Sequence, residues 1–87
     1  MLLLKDNAMS STSHVTQESV LYAFGRRLQR LRKARNLRQL DMGDFGLNYK
    51  YYQRLELGQV NPTLLTLYRV ATALGVSVSD FFHSDPE

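Results

Sequence analysis

The 87-residue chain has no cysteine, which excludes disulfides and thiolate metal sites. It has only two histidines, His14 and His83, at opposite ends among serine and acidic residues, so a surface role is expected for both and a metal role for neither. Its carboxylates are scattered, and neither a Ser/His/Asp set nor a glycine-rich phosphate loop is legible, which argues against an enzyme. The apolar opening Met1-Leu2-Leu3-Leu4 is far too short for a signal segment or a membrane span. Together these features lead us to expect a cytoplasmic protein with no cofactor and no membrane contact. No segment shows sustained strand alternation and no internal repeat is present, which leaves an all-α class.

What is there is positive charge, unevenly placed. The formal net charge is +3, but residues 24–58 hold nine Lys or Arg against Asp41, Asp44 and Glu56, while both flanks are slightly acidic. Charge confined to one segment is the footprint of a nucleic-acid face. For the first helix alone, a solvated amphipathic surface is the equal alternative, and for Arg26, Arg27 and Arg30 it is the preferred one.

The length allows one domain with a small core. Residues 1–15, with the run Ser10-Ser11-Thr12-Ser13, read as a tail, 16–83 as the domain and 84–87 as a second tail. Five short helices are expected. The first starts at Thr16, carries Val20, Leu21, Phe24, Leu28 and Leu31 as one stripe, and stops at Asn36. The second runs from Arg38 to Phe45 with Leu40, Met42 and Phe45 apolar, and Gly43 inside it suggests close approach of another helix. Gly46 turns the chain into a third helix capped by Asn48 and closed at Gly58, with Leu47, Tyr52 and Leu55 inward. A fourth is capped by Thr63 and shows a wide apolar face of Leu64, Leu67, Tyr68, Val70, Ala71 and Leu74. Ser77-Val78-Ser79-Asp80 announces the fifth.

Several separate motifs then fall in order. They are Arg32 with Asn36-Leu37-x-Gln39, Gly46-Leu47-Asn48, Tyr51-x-x-Arg54-Leu55-Glu56-x-Gly58, Asn61-Pro62-Thr63 and Ala71-x-x-Leu74-Gly75-Val76. In this order and spacing the chain resembles the lambda-repressor/Cro-like helix-turn-helix domains, the XRE family, from about Phe24 to Phe82. Arg38 departs from that pattern, standing where Ser or Thr is usual, and the second helix with its turn is one residue shorter than usual.

The resemblance implies a compact five-helix domain that binds double-stranded DNA, with the third helix in the major groove. It implies a buried ion pair of Arg32 with Glu56 beneath that helix, making Glu56 structural. Tyr49, Lys50 and Arg54, with Gln53 in second rank, are the expected base-reading side chains, since they follow the cap on the outer face. Arg35, Arg38, Gln39, Gln59 and Asn61 are the expected DNA-backbone contacts, Gln39 also bracing Tyr49. The expected function is a transcriptional repressor that binds an inverted-repeat operator as a homodimer, its activity set by protein level or a partner protein. Leu74, Val76, Val78, Phe81 and Phe82 are the first candidates for the dimer surface, and Leu2, Leu3 and Leu4 the second. The alternative is an adaptor of the transcription machinery whose DNA binding is weak and uniform in sequence.

Overall fold

The computed structural model describes residues 16–82. The expectations for the two tails, including His14, His83 and Leu2 to Leu4, lie outside the described residues. Every regular element among the described residues is a helix: α1 (Gln17–Ala34), a first 3₁₀ helix (Gln39–Phe45), α2 (Tyr49–Glu56), α3 (Leu64–Leu74) and a second 3₁₀ helix (Val78–Phe82). The expected five α-helices are thus three, with two tighter 3₁₀ segments.

Helix α1 begins in a reciprocal cap. The Thr16 hydroxyl accepts from the Ser19 amide at 3.0 Å, and the Ser19 hydroxyl accepts from the Thr16 amide at 2.9 Å. Of the apolar stripe, Phe24 and Leu28 are buried and Leu31 packs against the core, while Val20 is largely exposed. The helix ends with Asn36 at φ 58°, where the Asn36 amide bonds the Lys33 carbonyl and the Leu37 amide the Arg32 carbonyl. Asn tolerates this left-handed position better than most side chains, and the two bonds satisfy carbonyls the helix end would otherwise leave open.

In the first 3₁₀ helix only Met42 is buried; Leu40 is 59% exposed and Phe45 43%, against the expected apolar face. Three residues per turn align Gln39, Met42 and Phe45 and rotate Leu40 away from the core. Nothing approaches Gly43, so its predicted helix contact is absent. Asp41 and Gly46 each bond a carbonyl three residues back, at 3.0 Å.

Asn48 caps α2, its side chain accepting from the Tyr51 amide at 2.9 Å. Two glycines allow α2 to lie directly on α1. A methyl group at Gly25 would overlap the Glu56 carbonyl and stand 2.7 Å from that of Leu55. Just beyond the same end of α2, Gly58, at φ 73°, lies against the Tyr22 backbone. Thr63 caps α3, accepting from the Thr66 amide at 3.1 Å. Val70, Ala71 and Leu74 enter the core, but Leu64 and Tyr68 are open to solvent, so the buried face is narrower than predicted.

The last segment is drawn onto α1. Phe81 meets Phe24 edge-on at 5.3 Å between ring centroids, and Phe82 stacks over Phe24 at 6.3 Å. The half-buried Arg27 donates its Nε to the Asp80 carbonyl at 3.0 Å, so it is a fastening, not a solvated group. Asp80 in turn accepts from the Ser77 amide at 2.9 Å, which is the acidic half of the predicted cap; the Ser77 hydroxyl pairs with Ser79 instead.

Candidate nucleic-acid interface

Helix α2 has one buried side and one open side. Tyr52, Leu55 and Glu56 face inward at 0%, 1% and 5% exposure. Tyr49, Lys50 and Arg54 are exposed and Gln53 is half-buried, and helical spacing places these four on one arc, with Lys50 and Arg54 farthest from the buried set and Tyr49 at the edge beside Glu56. Among the described residues no ion pair occupies Lys50 or Arg54. The structure therefore brings the four expected base-reading residues together on one outward face.

Beneath this face sits a buried network. The Arg32 guanidinium donates Nε to Glu56 Oε2 at 2.6 Å and Nη2 to Oε1 at 3.1 Å. Its Nη1 donates to the Leu37 carbonyl at 2.7 Å. One side chain thus ties α1, the following turn and α2 together. Burial disfavours the Glu56 carboxylate, but Arg32, the nearby Tyr52 hydroxyl and Gln39 together outweigh it and hold its pKa below the ordinary value. The same contact raises Arg32. The Tyr52 hydroxyl, buried beside the pair, completes no well-formed hydrogen bond, and burial pushes its pKa up.

Gln39 lies elsewhere than expected. Its Nε2 donates to Glu56 Oε1 at 2.9 Å, so it braces the end of α2 and the ion pair, not Tyr49. Sequence alone carried no signal for this bond, because it depends on the 3₁₀ geometry that aims Gln39 at Glu56. Arg38 is also engaged. Asp41 accepts from the Arg38 amide at 2.7 Å and from its guanidinium at 3.2 and 2.8 Å. Asp41 therefore supplies the acidic half of a capping box while the Ser or Thr half is missing, and the guanidinium holds its carboxyl down at about 2. Gln59, Asn61 and Arg35 are exposed, and Arg35 bonds the Leu31 carbonyl of its own helix at 3.1 Å.

The packing takes two of the five residues expected at the dimer surface into the core. Leu74 and Phe81 are 1% and 3% exposed, and Val76 and Val78 pack against the core. Phe82 alone of the five stays open, at 60%. These residues close the small core because the second 3₁₀ helix folds back onto Phe24. Among the described residues there is no cluster of three His, Cys, Asp or Glu side chains able to hold a metal, and no helix long and apolar enough to cross a membrane.

A short helix, a left-handed turn and a capped second helix with an open polar face define a helix-turn-helix domain. The family model for helix-turn-helix proteins matches residues 28–81, and the chain belongs to that family, in its XRE group. It is 43% identical over 54 residues to the uncharacterized HTH-type transcriptional regulator y4dJ of Sinorhizobium fredii, covering 61% of this chain and 70% of that one. It is 39% identical over 59 residues to the SPbeta prophage-derived uncharacterized HTH-type transcriptional regulator YonR of Bacillus subtilis, covering 67% of this chain but only 54% of YonR. Among solved structures it is similar to the restriction-modification controller protein C.AhdI from Aeromonas hydrophila, with TM-score 0.69 and 36% identity over 71% of this chain and 96% of that one. An HTH_3 family transcriptional regulator from Vibrio cholerae matches with TM-score 0.72 and 29% identity, over 77% of this chain and 38% of that one.

Proposed function

We propose that this protein is a sequence-specific regulator of transcription, a repressor that binds an inverted-repeat operator in double-stranded DNA as a homodimer. The observation that carries the proposal is the outward arc of Tyr49, Lys50, Gln53 and Arg54 on a helix held from beneath by Arg32 and Glu56. A capped helix with two open cations suits the major groove, where Lys or Arg donates to guanine O6 and N7. Arg35, Gln59 and Asn61 are exposed, which supports a role for them in meeting phosphates and fixing the register. Arg38 joins them only with Asp41 attached, and Gln39 acts through Glu56. The names of the relatives, HTH-type transcriptional regulators and a restriction-modification controller, support a regulatory role. The protein acts in the cytoplasm without catalysis, and a two-fold dimer reads half-sites about one helical turn apart.

The test is selection of bound sites from a random duplex pool at near-physiological salt, with a Lys50→Ala/Arg54→Ala double variant as control. An enriched inverted repeat that disappears in the control is expected. Recovery of no motif would replace the regulator with the adaptor, whose DNA binding is weak and uniform.

A further inference from the structure

The two helices of the helix-turn-helix unit are joined covalently at one end only. Gly46, Leu47 and Asn48 connect the last residue of the first 3₁₀ helix to the first residue of α2. Gly46 is left-handed at φ 82°, and nothing stands within 4 Å of where its Cβ would be. The turn therefore fixes where the two helices meet, not how widely they open. Met42, Tyr52 and Leu55 share the core between them, but apolar packing has no preferred direction. At the open end stand Gln39, the first residue of one helix, and Glu56, the last residue of the other. Gln39 Nε2 donates to Glu56 Oε1 at 2.9 Å, the only side-chain hydrogen bond between these two helices among the described residues. It acts at the end of a lever arm about 12 Å long, where a shift of about 1 Å turns the helix by about 5°.

We infer that Gln39 is a positioning residue for base reading: through Glu56 it sets the angle between the outward arc of α2 and the start of the first 3₁₀ helix. This role rests on the DNA binding of the proposed function and adds to it a determinant of specificity that does not itself touch DNA. Exposed Arg38, paired with Asp41, directly precedes Gln39, so the open end carries a cation suited to phosphate. Lys50 and Arg54 lie on the other arm. Both arms must fit one duplex at once. A recognition constellation tolerates about 10–20° of misorientation, and about 2 Å of opening at the free end already reaches that limit. Folding depends on Gln39 much less. Without it Glu56 keeps both bonds from Arg32, at 2.6 and 3.1 Å, and Arg32 keeps the Leu37 carbonyl. The loss of Gln39 therefore falls on orientation more than on stability.

Gln39→Met keeps the length of the side chain and removes the donor, and two readouts on the full-length protein test the role. The first needs no DNA. The Glu56 carboxyl, followed by NMR through an acid titration, is expected to titrate at higher pH in Gln39→Met than in wild type, because one of the donors that hold it down is gone. An unchanged titration means that the bond is not made in solution and overturns the role. The second readout compares the duplex recovered by site selection with the same duplex carrying exchanged bases, at several salt concentrations. The ratio of the two affinities is expected to fall roughly tenfold in Gln39→Met, the scale of one base contact. The salt slope is expected to stay as in wild type, since no charge is removed. In the Lys50→Ala/Arg54→Ala background the same replacement is expected to cost nothing further. An equal loss on both duplexes makes Gln39 a backbone contact, and an undiminished ratio leaves it a purely structural residue; either result overturns the positioning role while the regulator stands. A wild type with no preference between the duplexes overturns the proposed function, and the role of Gln39 falls with it.

Discussion

Glu56 is the residue on which the most depends. The residue is 5% exposed and its carboxylate receives both Arg32 and Gln39. Glu56→Ala strands a buried guanidinium and is expected to cost about 3–5 kcal/mol, whereas Glu56→Gln keeps an acceptor and the volume and should cost clearly less. The acid dependence has a definite sign. The folded pKa of Glu56 lies below its ordinary 4.5, so its contribution is complete above that value and is lost as pH falls through the folded pKa. Urea melts at decreasing pH should therefore show wild type weakening below about pH 4.5, with a smaller decline in Glu56→Gln. The neighbouring Tyr52 hydroxyl is the opposite case, a buried group without a well-formed bond. Tyr52→Phe is expected to leave stability within about 1 kcal/mol of wild type, or to raise it. A loss of several times that amount would show that the hydroxyl holds the ion pair in place.

Among the elements, the α1–α2 crossing and the first 3₁₀ helix set the orientation of the outward face. The crossing depends on Gly25, where an added methyl meets backbone, which cannot rotate aside. Gly25→Ala should lower the urea midpoint, a net loss of about 1–3 kcal/mol despite the better helix propensity of alanine. Sequence pattern marked α1 as amphipathic but gave Gly25 no role, since the signal is a second helix's carbonyl, which no local pattern contains. The first 3₁₀ helix starts with the exposed Arg38–Asp41 pair. An exposed pair contributes little to folding, but Asp41 also accepts the Arg38 amide, so Asp41→Asn is expected to lower the melting midpoint only slightly. On the proposed function the same change removes a negative charge from the DNA side and releases Arg38. Filter binding should then show tighter DNA association and a salt slope steeper by up to about one unit. An unchanged slope would mean that Arg38 does not reach phosphate.

For the whole molecule, base reading and phosphate contact should separate in binding data. Lys50→Ala is expected to relax preference at one base position, worth about 1–3 kcal/mol of discrimination. Arg35→Ala should instead weaken binding to all sequences alike and reduce the salt slope by about one unit. Titrations of matched and mismatched duplexes at several salt concentrations distinguish the two.

Sequence by itself determined the helical class, the caps at Thr16, Asn48 and Thr63, the closure at Asn36 and the polar outward residues of α2. These are local matters, settled by hydrogen bonds three or four residues apart and by the 3.6-residue period. The motif order also determined the Arg32–Glu56 pair, through resemblance, and the described geometry carries it at 2.6 Å. Tertiary structure decided the rest. It made the second helix a 3₁₀ segment, turned Gln39 toward Glu56, tied Arg38 to Asp41 and Arg27 to Asp80, and drew Leu74 and Phe81 into the core. It also left Leu65 and Tyr68 outside. The physical reason is the same for each. An apolar or charged residue carries its chemistry in the sequence, but whether that chemistry is spent inside the molecule or offered outside depends on which distant element packs against it. In so small a domain there is room to cover only part of what the pattern makes apolar.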